Sequence, residues 1–445
     1  ELEPIGEPLM IYCKPDPDLL PQPVSCLITG ITPQLAQREG LPEPQFIKLI
    51  HEQLAKPGTC GAGYNSIRFD DEFTRYALYR NFYDPYEREW RGGNSRWDLI
   101  DCVRLCHALR PEGIVWPRRE DGSPSFRLED LSAANGLAHE HAHDALSDVD
   151  ATIGLARLLF QAQPRLFTHA LKLRDKRFAA TQIDLHRMQP VLHVSSKIPS
   201  KRHCIAVVAP IAQHARNANE VIVYDLCADP SELLDLPVEE LRERIFTPMK
   251  DLPEGVQRIP LKGVHMNKSP MLAPLEVLKP GDAERLGLDL ALAQKNRDTL
   301  HAARAQITAK VREVFTTPAR EQGDAEQSLY AGFLPEADRL RCAKVRDAAP
   351  EQLAAIQGQF QDARYNELLF RYRARHYPQT LNEAERAQWA DHLDRKLNYD
   401  GGLASISLPQ YRELVAQMQA QERDPAKLEI LAALERWPAE AGLAG

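Results

Sequence analysis

The chain has 445 residues, of which 43% are hydrophobic and 27% charged, and its formal net charge is −8. This length predicts two or three domains rather than one. The sequence has no apolar run of the ~18 residues that a membrane span needs, which excludes a membrane-crossing protein. The negative charge argues against a protein that coats nucleic acid along its whole surface, although a local basic groove remains compatible with it.

The eight cysteines are scattered and never form a Cys-x-x-Cys pair. Cys102 and Cys106 are one helical turn apart, but no histidine lies at zinc-ligand spacing from them. We therefore expect reduced cysteines in the core of a cytoplasmic protein. No signal peptide is visible, yet the sequence starts at Glu1 and not at Met, so we expect that an upstream segment is missing.

The first part of the chain alternates between strand-like and helical patterns, which indicates an α/β layer. Residues 8–13 are apolar and predict a strand, and Thr32 followed by Pro33 predicts an N-cap with proline at the first helical position. That helix should end at Glu39 and Gly40. The further predicted elements are a helix at 43–55, a short strand or turn at 57–64, and helices at 71–82, 97–109, 125–135 and 143–162.

The pattern changes near residue 188, where short apolar runs bounded by polar residues or proline predict a small β-rich domain. Its predicted strands are 189–194, 204–211 and 220–226. Residues 282–315 are again helical in pattern, and the chain after Pro318 is helix-rich, with breaks near 349, 378 and 401. No internal repeat is visible.

The predicted helix 143–162 carries an acid on its apolar face. On a helical wheel, Leu155 and Leu159 lie about 20° to either side of Asp148, whereas Asp150 and Arg157 lie on the opposite side. A carboxylate that points into packing is costly unless a positive partner or a metal ion compensates it. Two interpretations stay open at this point, a metal site and a buried acid that caps a neighbouring helix.

Three consecutive acids at 70–72 form a second candidate site, at the start of the predicted helix 71–82. Acids are favoured in a first helical turn, so capping explains them when they are considered alone. Acids brought together from separate helices, with a neutral histidine such as His143 nearby, are also what two-metal phosphoryl chemistry requires.

The Asn65-x-x-x-Phe69-Asp70 and His143-x-x-x-x-Asp148 elements resemble the second and third motifs of the DEDDh 3′→5′ exonuclease superfamily. Within it, the chain resembles the bacterial exonuclease I family, and the similarity extends over essentially its whole length. The segments that carry it are 63–75, 79–86, 94–99, 108–113, 124–129, 264–268 and 372–375.

The resemblance implies three domains: an α/β ribonuclease H-like exonuclease domain at 1–163, an SH3-like β-domain with appended helices at 164–317, and an all-α C-terminal domain at 318–445. Together they would form a C-shaped clamp around single-stranded DNA. The implied function is 3′→5′ degradation of single-stranded DNA to 5′-mononucleotides in DNA repair and recombination. The resemblance also implies two Mg²⁺ ions, with Mn²⁺ as a substitute, single-stranded-DNA-binding protein as a partner, and a monomer.

Residue roles follow from the same resemblance. Asp148 would bind metal directly, Asp70 would bind it through water, and His143 would be the general base. Arg127 would contact the substrate near the scissile end, where its planar fork of donors suits a phosphate; without the family, it would be an exposed helix charge. Further substrate-binding residues are implied at Arg75, Tyr86, Trp90, Arg104, Asn219, Lys262, Asn267 and Tyr330.

The segment 79–97 interleaves aromatic residues with arginines, which suits a sequence-tolerant path for single-stranded DNA, although a packed loop with solvated charges has the same composition. The basic run 371–375 could lie in such a groove or on the surface. The Asp-Ala-Glu triplets at 282–284 and 324–326 are interpreted as helix caps.

The family opens with a strand that carries Asp-x-Glu, and Glu1, Leu2 and Glu3 do not replace it. We therefore expect either a truncated sequence of an active enzyme, which we favour, or a catalytically impaired single-stranded-DNA-binding fragment. The lost strand should make the isolated fragment poorly stable. A ribonuclease on the same superfamily fold is a third, more distant hypothesis.

Overall fold

The computed structural model describes residues 2–137, 145–316, 323–399 and 403–443. The chain divides into two compact units, which are described separately. The first unit consists of Glu1–Ile5, Cys60–Asp70 and Ser95–Pro318, and the second of Gly6–Thr59, Asp71–Asn94 and Ala319–Gly445. No helix in the described part of the chain is both long and apolar enough to cross a membrane.

The first unit contains a parallel pair of strands and a separate antiparallel sheet. Strand Cys60–Gly63 pairs with strand Ser95–Asp98 in the register Cys60↔Ser95 to Gly63↔Asp98. Because parallel strands end at the same edge, the segments that follow Gly63 and Asp98 start side by side. The antiparallel sheet has five strands in the order Leu261–His265, Glu220–Asp225, Ile205–Gln213, Val191–Val194 and Met271–Pro274.

Strand Ile205–Gln213 is central in the five-stranded sheet and is almost wholly buried, which explains its continuous apolar sequence. The three predicted strands of this region are confirmed. Strands Leu261–His265 and Met271–Pro274 were missed, because both are short and Lys262 and Gly263 interrupt the apolar pattern.

Helices of the first unit pack around these sheets and share one hydrophobic core with them. The segment predicted as helix 97–109 is the end of a strand followed by helix Leu99–Leu109, because Asp98 caps that helix by accepting a hydrogen bond from Ile100 N. The α-helices are Leu99–Leu109, Leu128–Ala134, Ala145–Ala162, Pro164–Lys172, Lys176–Thr181, Ser231–Asp235, Val238–Phe246, Asp282–Arg285, Leu290–Ala302 and Arg304–Val314.

The second unit is helical in its described residues. Thr32 caps helix Pro33–Glu39 as predicted, since its hydroxyl accepts from Leu35 N at 3.2 Å. Helix Asp70–Arg80 begins at Asp70, the last residue of the segment Cys60–Asp70 of the first unit, and its other residues belong to the second unit. The other α-helices are Pro23–Thr29, Glu43–Leu54, Glu336–Asp347, Leu353–Ile356, Ala363–His376, Glu383–Asn398, Leu408–Gln421 and Pro425–Glu440.

The predicted strand at 8–13 is wrong. Within the described residues, this segment makes one isolated bridge between Cys13 and Leu41, with hydrogen bonds from Lys14 N to Leu41 O and from Leu41 N to Tyr12 O. Pro8 is the first residue of the segment and Pro15 follows shortly after its end. Neither can donate a backbone hydrogen bond, which limits the extension of the pairing into a ladder.

All eight cysteines are free thiols, as predicted, and Cys26, Cys102, Cys106, Cys204 and Cys342 are buried.

Candidate active site

A cavity of about 1140 Å³ in the first unit collects the predicted acids. Asp70, Asp148 and Arg127 line it, together with Asn65 and Arg104. These residues come from separate elements: Asp70 begins helix Asp70–Arg80, Asp148 is in helix Ala145–Ala162, and Arg127 precedes helix Leu128–Ala134. The fold therefore brings the second and third predicted motifs to one concave surface. His143, the predicted general base, lies outside the described residues.

Helix Ala145–Ala162 places Asp148 at the edge of its buried stripe. Ala151, Leu155 and Leu159 are buried at four-residue spacing, which confirms the predicted apolar face. Asp148 lies one turn before this stripe and is half-buried in the cavity wall rather than enclosed in the core. Asp148 therefore contributes to the cavity wall from the edge of the buried face of its helix.

The three consecutive acids have different surroundings. Asp70 is exposed and lines the cavity of the first unit. In the second unit, Asp71 is buried and pairs with Arg88 at 2.7 Å, and Glu72 accepts from Arg75 at 2.6 Å. A run of acids that is uniform in sequence thus divides into one cavity-facing carboxylate and two carboxylates held by arginines.

Asp98 shapes the cavity, although sequence reasoning did not select it. It is 1% exposed, and its carboxylate accepts from Asn65 N at 2.7 Å, from Ile67 N at 3.3 Å and from Ile100 N at 3.3 Å. Asn65 has a positive φ of 63°, an uncommon backbone conformation that asparagine tolerates. The position of Asp98 directly before a helix was the available signal, because aspartate is a preferred N-cap residue.

Burial raises the pKa of Asp98 to about 6, and the nearby Asp101 adds to this effect. Arg68 lies 3.6 Å from the Asp98 carboxylate and donates to Asp101 at 2.8 Å, while Arg104 donates to Asp101 at 2.7 Å. These pairs fix the Arg104 guanidinium in the cavity wall, 5.7 Å from the centre of the Phe126 ring.

Arg127 occupies the N-cap position of helix Leu128–Ala134 and is not part of the helix itself. Its side chain is 62% exposed, and its Nε donates to Glu129 Oε1 at 2.8 Å. Glu129 also lines the cavity and is a further acid that the sequence analysis missed. An exposed guanidinium in the wall of the cavity that the two predicted metal-binding acids also line has the donor chemistry to meet a phosphate.

The remaining predicted substrate residues of the first unit lie in or beside the antiparallel sheet. Asn267 is exposed, and its carbonyl accepts from Arg96 at 3.2 Å. Asn219 lines a separate cavity of about 310 Å³. Lys262 points inward, where its Nζ lies 2.7 Å from His193 Nε2 and 2.8 Å from Ser195 Oγ, and burial lowers its pKa to about 8.

The predicted substrate residues of the second unit form a cluster of their own. Trp90 is exposed, and Tyr330 is 6.4 Å from Tyr86 between ring centres. Arg75 is buried and donates to both oxygens of Glu89 at 2.7 and 2.9 Å, while its Nη1 lies 3.1 Å from the Tyr330 hydroxyl. Arg75 therefore holds the aromatic side chains in position while its own charge is compensated.

The two interpretations of the basic run 371–375, groove or surface, are both wrong. The side chains of Arg371, Arg373 and Arg375 are only 7%, 1% and 3% exposed and are paired with carboxylates. Helix periodicity alone cannot show this, because the acids that pair with them lie as far away as Asp18.

Comparison with known proteins identifies the family. Models of three families match the chain: "Exonuclease" at residues 1–156, "Exonuclease I SH3-like domain" at 174–317 and "Exonuclease I C-terminal domain" at 323–441. Exodeoxyribonuclease I of Haemophilus influenzae is 46% identical over 88% of this chain and 84% of its own length. The chain belongs to the exonuclease I family.

Solved structures agree. Exonuclease I from Methylocaldum szegediense has a TM-score of 0.93 and 51% identity, over 99% of this chain and 93% of that one. A zinc ion-bound complex of E. coli exonuclease I with single-stranded DNA has a TM-score of 0.92 and 42% identity over the same shares. A structure of SSB/exonuclease I in complex with the inhibitor CFAM has a TM-score of 0.89 and 42% identity, over 98% of this chain and 92% of that one.

These similarities confirm the predicted fold, with an exonuclease domain, an SH3-like domain and a helical C-terminal domain. They also confirm, at the level of the family, a hydrolase acting on phosphodiester bonds as a 3′→5′ exonuclease on single-stranded DNA. The alternative of a binding protein without turnover is not favoured. The exonuclease fold implies dependence on a divalent metal. The predicted domain boundaries at 163/164 and 317/318 stay predictions.

Proposed function

We propose that Asp70 and Asp148 hold the divalent metal ions of this exonuclease and that Arg127 binds the phosphate at the 3′ end of the DNA. The observation that carries this proposal is that the three side chains line one cavity of the first unit. Carboxylate oxygens are hard ligands that suit Mg²⁺. Two acids from separate helices on one concave surface have the donor chemistry that such ions need.

We propose Mg²⁺ as the working ion, two per site, with Mn²⁺ as a substitute. When bound, such ions neutralise charge on the scissile phosphate and make water a stronger nucleophile near neutral pH. Arg127 would hold a non-bridging phosphate oxygen through its fork of donors once the phosphate replaces Glu129 as its partner. His143 would take the proton from the attacking water, because neutral imidazole is a suitable base near pH 7. The products are 5′-mononucleotides.

The path of the DNA is proposed separately for each unit. In the first unit, Arg104, Asn267 and Asn219 offer donors for the DNA backbone, whereas Lys262 would have to leave His193 and Ser195 to do so. In the second unit, Trp90 and Tyr330 have exposed rings on which bases can stack, a contact that tolerates any sequence. Arg75 and Tyr86 support this surface, because Arg75 lies 5.3 Å from the Tyr86 ring centre and contacts the Tyr330 hydroxyl.

The wider context rests on the family alone. We propose that the enzyme is a cytoplasmic monomer that acts in DNA repair and recombination and meets single-stranded-DNA-binding protein, as the SSB/exonuclease I structure suggests for the exonuclease I that it contains.

A digestion assay tests the proposal. The chain, and a version extended upstream by a strand with Asp-x-Glu, are incubated with Mg²⁺ and a 3′-end-labelled single-stranded DNA oligonucleotide. We expect the extended version to release labelled 5′-mononucleotides and to lose this activity with EDTA. Tight DNA binding without release of mononucleotides would refute the catalytic assignment. A matched RNA oligonucleotide should be degraded far more slowly, and equal rates would favour the ribonuclease hypothesis.

Replacing His143 by alanine in the active version should lower the rate about 10²–10⁴-fold if this residue is the general base. His141→Ala is the matched control from the same segment and should leave the rate unchanged. An unchanged rate for His143→Ala would remove the proposed role.

A further inference from the structure

Three side chains with metal-ligating atoms meet in the second unit, which contains neither Asp70 nor Asp148. Asp16 lies in the loop before helix Pro23–Thr29, Glu43 is the first residue of helix Glu43–Leu54, and His376 is the last residue of helix Ala363–His376. One carboxylate oxygen from each acid and one ring nitrogen of the histidine all lie within 4.8 Å of one another. Three distant segments thus present donors to a single point.

The Asp16 carboxylate lacks a partner that would explain its burial. Asp16 is 8% exposed, and among the described residues its side chain makes no hydrogen bond and no ion pair, although its backbone carbonyl accepts from Leu19 N at 3.2 Å. A carboxylate in such a position is costly unless a cation compensates it. Burial raises the pKa of Asp16 to about 7, and the negative charge of Glu43 adds to this effect.

The nearby arginines are directed at other acids. Arg80 pairs with Glu43, and Arg375 donates to Asp18 at 2.8 Å and to Glu326 at 2.9 Å. Their positive charges lower the pKa of Asp16 without offsetting its burial. The second oxygen of Glu43 and both oxygens of Asp16 are thus available to a further cation within the described structure.

The third donor is a neutral imidazole. Burial lowers the pKa of His376 to about 4. The negative charge of Glu43 raises this pKa, whereas the positive charges of Arg375 and Arg80 lower it. His376 is therefore uncharged at pH 7, the state in which imidazole binds metals.

The cluster opens into a cavity of about 630 Å³, which leaves room for water to complete the coordination of an ion. Gln34 lines the same cavity, and its Oε1 is a buried acceptor without a hydrogen-bond partner in the described structure. Its Nε2 donates to Ala433 O and to Glu440 Oε2, both at 2.8 Å. The residues that line this cavity thus include a second polar group that the described protein atoms leave unsatisfied.

We propose that Asp16, Glu43 and His376 form a binding site for a first-row divalent cation, best suited to Zn²⁺. Two carboxylates and one imidazole supply three ligands from the set that Zn²⁺ accepts, and water can take the fourth position. Because the ligands come from three segments far apart in sequence, the ion would hold the loop 13–18 against helices Glu43–Leu54 and Ala363–His376. This role is structural and does not depend on the proposed nuclease residues.

The test measures Zn²⁺ binding to the whole chain. Asp70→Asn and Asp148→Asn are introduced first, so that the nuclease acids do not contribute, and metal is removed with EDTA before titration calorimetry at pH 7.5. We expect one Zn²⁺ per chain and a higher melting temperature with the ion bound. Asp16→Asn and His376→Gln, introduced separately, should each weaken binding by at least about 10-fold, the lower end of effects seen even for outer-shell partners of metal sites. Glu440→Gln lines the same cavity outside the cluster and should leave binding unchanged.

The pH dependence provides a second readout. Asp16 must lose its proton to bind the ion, so Zn²⁺ affinity should rise between about pH 6 and 8 with release of a proton. The charged groups that face Asp16 are Glu43, Asp18, Arg80 and Arg375, and Cys13 is a titratable neighbour.

Circular dichroism and metal-free melting curves show whether each variant is folded. Failure of the folded parent to bind Zn²⁺, or equal affinity in the parent, Asp16→Asn and His376→Gln proteins, would overturn the proposal. One further result would overturn the proposal: the parent binds no Zn²⁺, and the Asp16→Asn protein is more stable than the parent without metal. This result would identify the cluster as two carboxylates that share a proton.

Discussion

Two groups of acids in this protein use the same residue types for opposite purposes. Asp70 and Asp148 line an open cavity of the first unit. In the second unit, Asp18 is fully buried and accepts from Arg375 at 2.5 and 2.8 Å and from Lys396 at 2.7 Å. The first two acids line a cavity that ions and substrate can enter, whereas Asp18 is enclosed together with its positively charged partners. Surroundings, and not residue type, therefore separate candidate catalytic acids from structural ones.

The largest effect on the rate of DNA hydrolysis is expected from removing the charge of Asp148. Asp148→Asn should lower the rate of DNA hydrolysis in the active version by about 10³-fold, because a bound metal contributes several kcal/mol to transition-state stabilisation and each 1.4 kcal/mol is a factor of ten. The rate is measured with saturating DNA and Mg²⁺.

Asp150→Asn is the matched control, since Asp150 is exposed on the same helix. It should leave the rate unchanged, and the melting temperatures of both variants should stay close to that of the parent. Equal rates for the two variants would show that Asp148 is not a metal ligand.

Removing the charge of Asp18 should lower the stability of the folded protein instead. Asp18→Asn leaves Arg375 and Lys396 without one of their buried partners, so we expect a loss of about 3–5 kcal/mol in the free energy of unfolding. Urea unfolding followed by circular dichroism measures it. Asp391→Asn breaks an exposed pair with Arg395 and should change stability by less than about 0.5 kcal/mol. Similar values for both variants would refute the structural role of the buried network.

Glu326 allows the same network to be tested by pH. Burial alone would raise its pKa, but Arg375 and Lys396 outweigh that effect and lower the pKa from 4.5 to about 2. A lowered pKa in the folded state means that the ionised form stabilises the fold above about pH 4.5 and that this stabilisation is lost as the pH falls toward 2.

The measurement compares the parent with Glu326→Gln, which keeps the size of the side chain but cannot ionise. At pH 6 we expect the variant to be less stable by about 1.5–3 kcal/mol, as for a hydrogen bond to a charged group. The difference should shrink as the pH is lowered from 4.5 toward 2. A difference that is constant with pH would show that the charge of Glu326 does not stabilise the network.

The sequence predicted local features well where one segment decides the outcome. The N-cap at Thr32, the apolar stripe through Leu155 and Leu159, and the central strand Ile205–Gln213 all depend on neighbouring residues. The resemblance added the prediction that Asp70 and Asp148 belong to one site, which helical periodicity could suggest but not establish.

Features that depend on distant partners could not be predicted in this way. The arginines of 371–375 have the pattern of a groove or surface helix, and only the fold shows that Asp18, Glu326 and Glu385 neutralise them. The strand predicted at 8–13 failed for a related reason, because a strand needs a partner with which to form a ladder.

Asp98 combines features of both groups of acids. It is buried and hydrogen-bonded like Asp18, yet it holds Asn65, which lines the same cavity as Asp70 and Asp148. Asp98→Ala removes the acceptor for Asn65 N, Ile67 N and Ile100 N. Leaving buried donors unsatisfied should lower the free energy of unfolding by about 1–3 kcal/mol, whereas Asp150→Ala should change it by less than about 0.5 kcal/mol.

Because Asn65 lines the cavity, the Asp98→Ala active version should also hydrolyse DNA more slowly, by a smaller factor than Asp148→Asn. Mg²⁺ affinity separates the two roles: Asp148→Asn should weaken it, and Asp98→Ala should leave it nearly unchanged while the rate falls. If Asp98→Ala instead weakened Mg²⁺ binding as strongly as Asp148→Asn, then Asp98 would have to be grouped with the metal-binding acids Asp70 and Asp148. A buried carboxylate that holds the loop at Asn65 in place would in that case also contribute to metal binding. Burial would then not distinguish structural acids from metal-binding acids at this cavity.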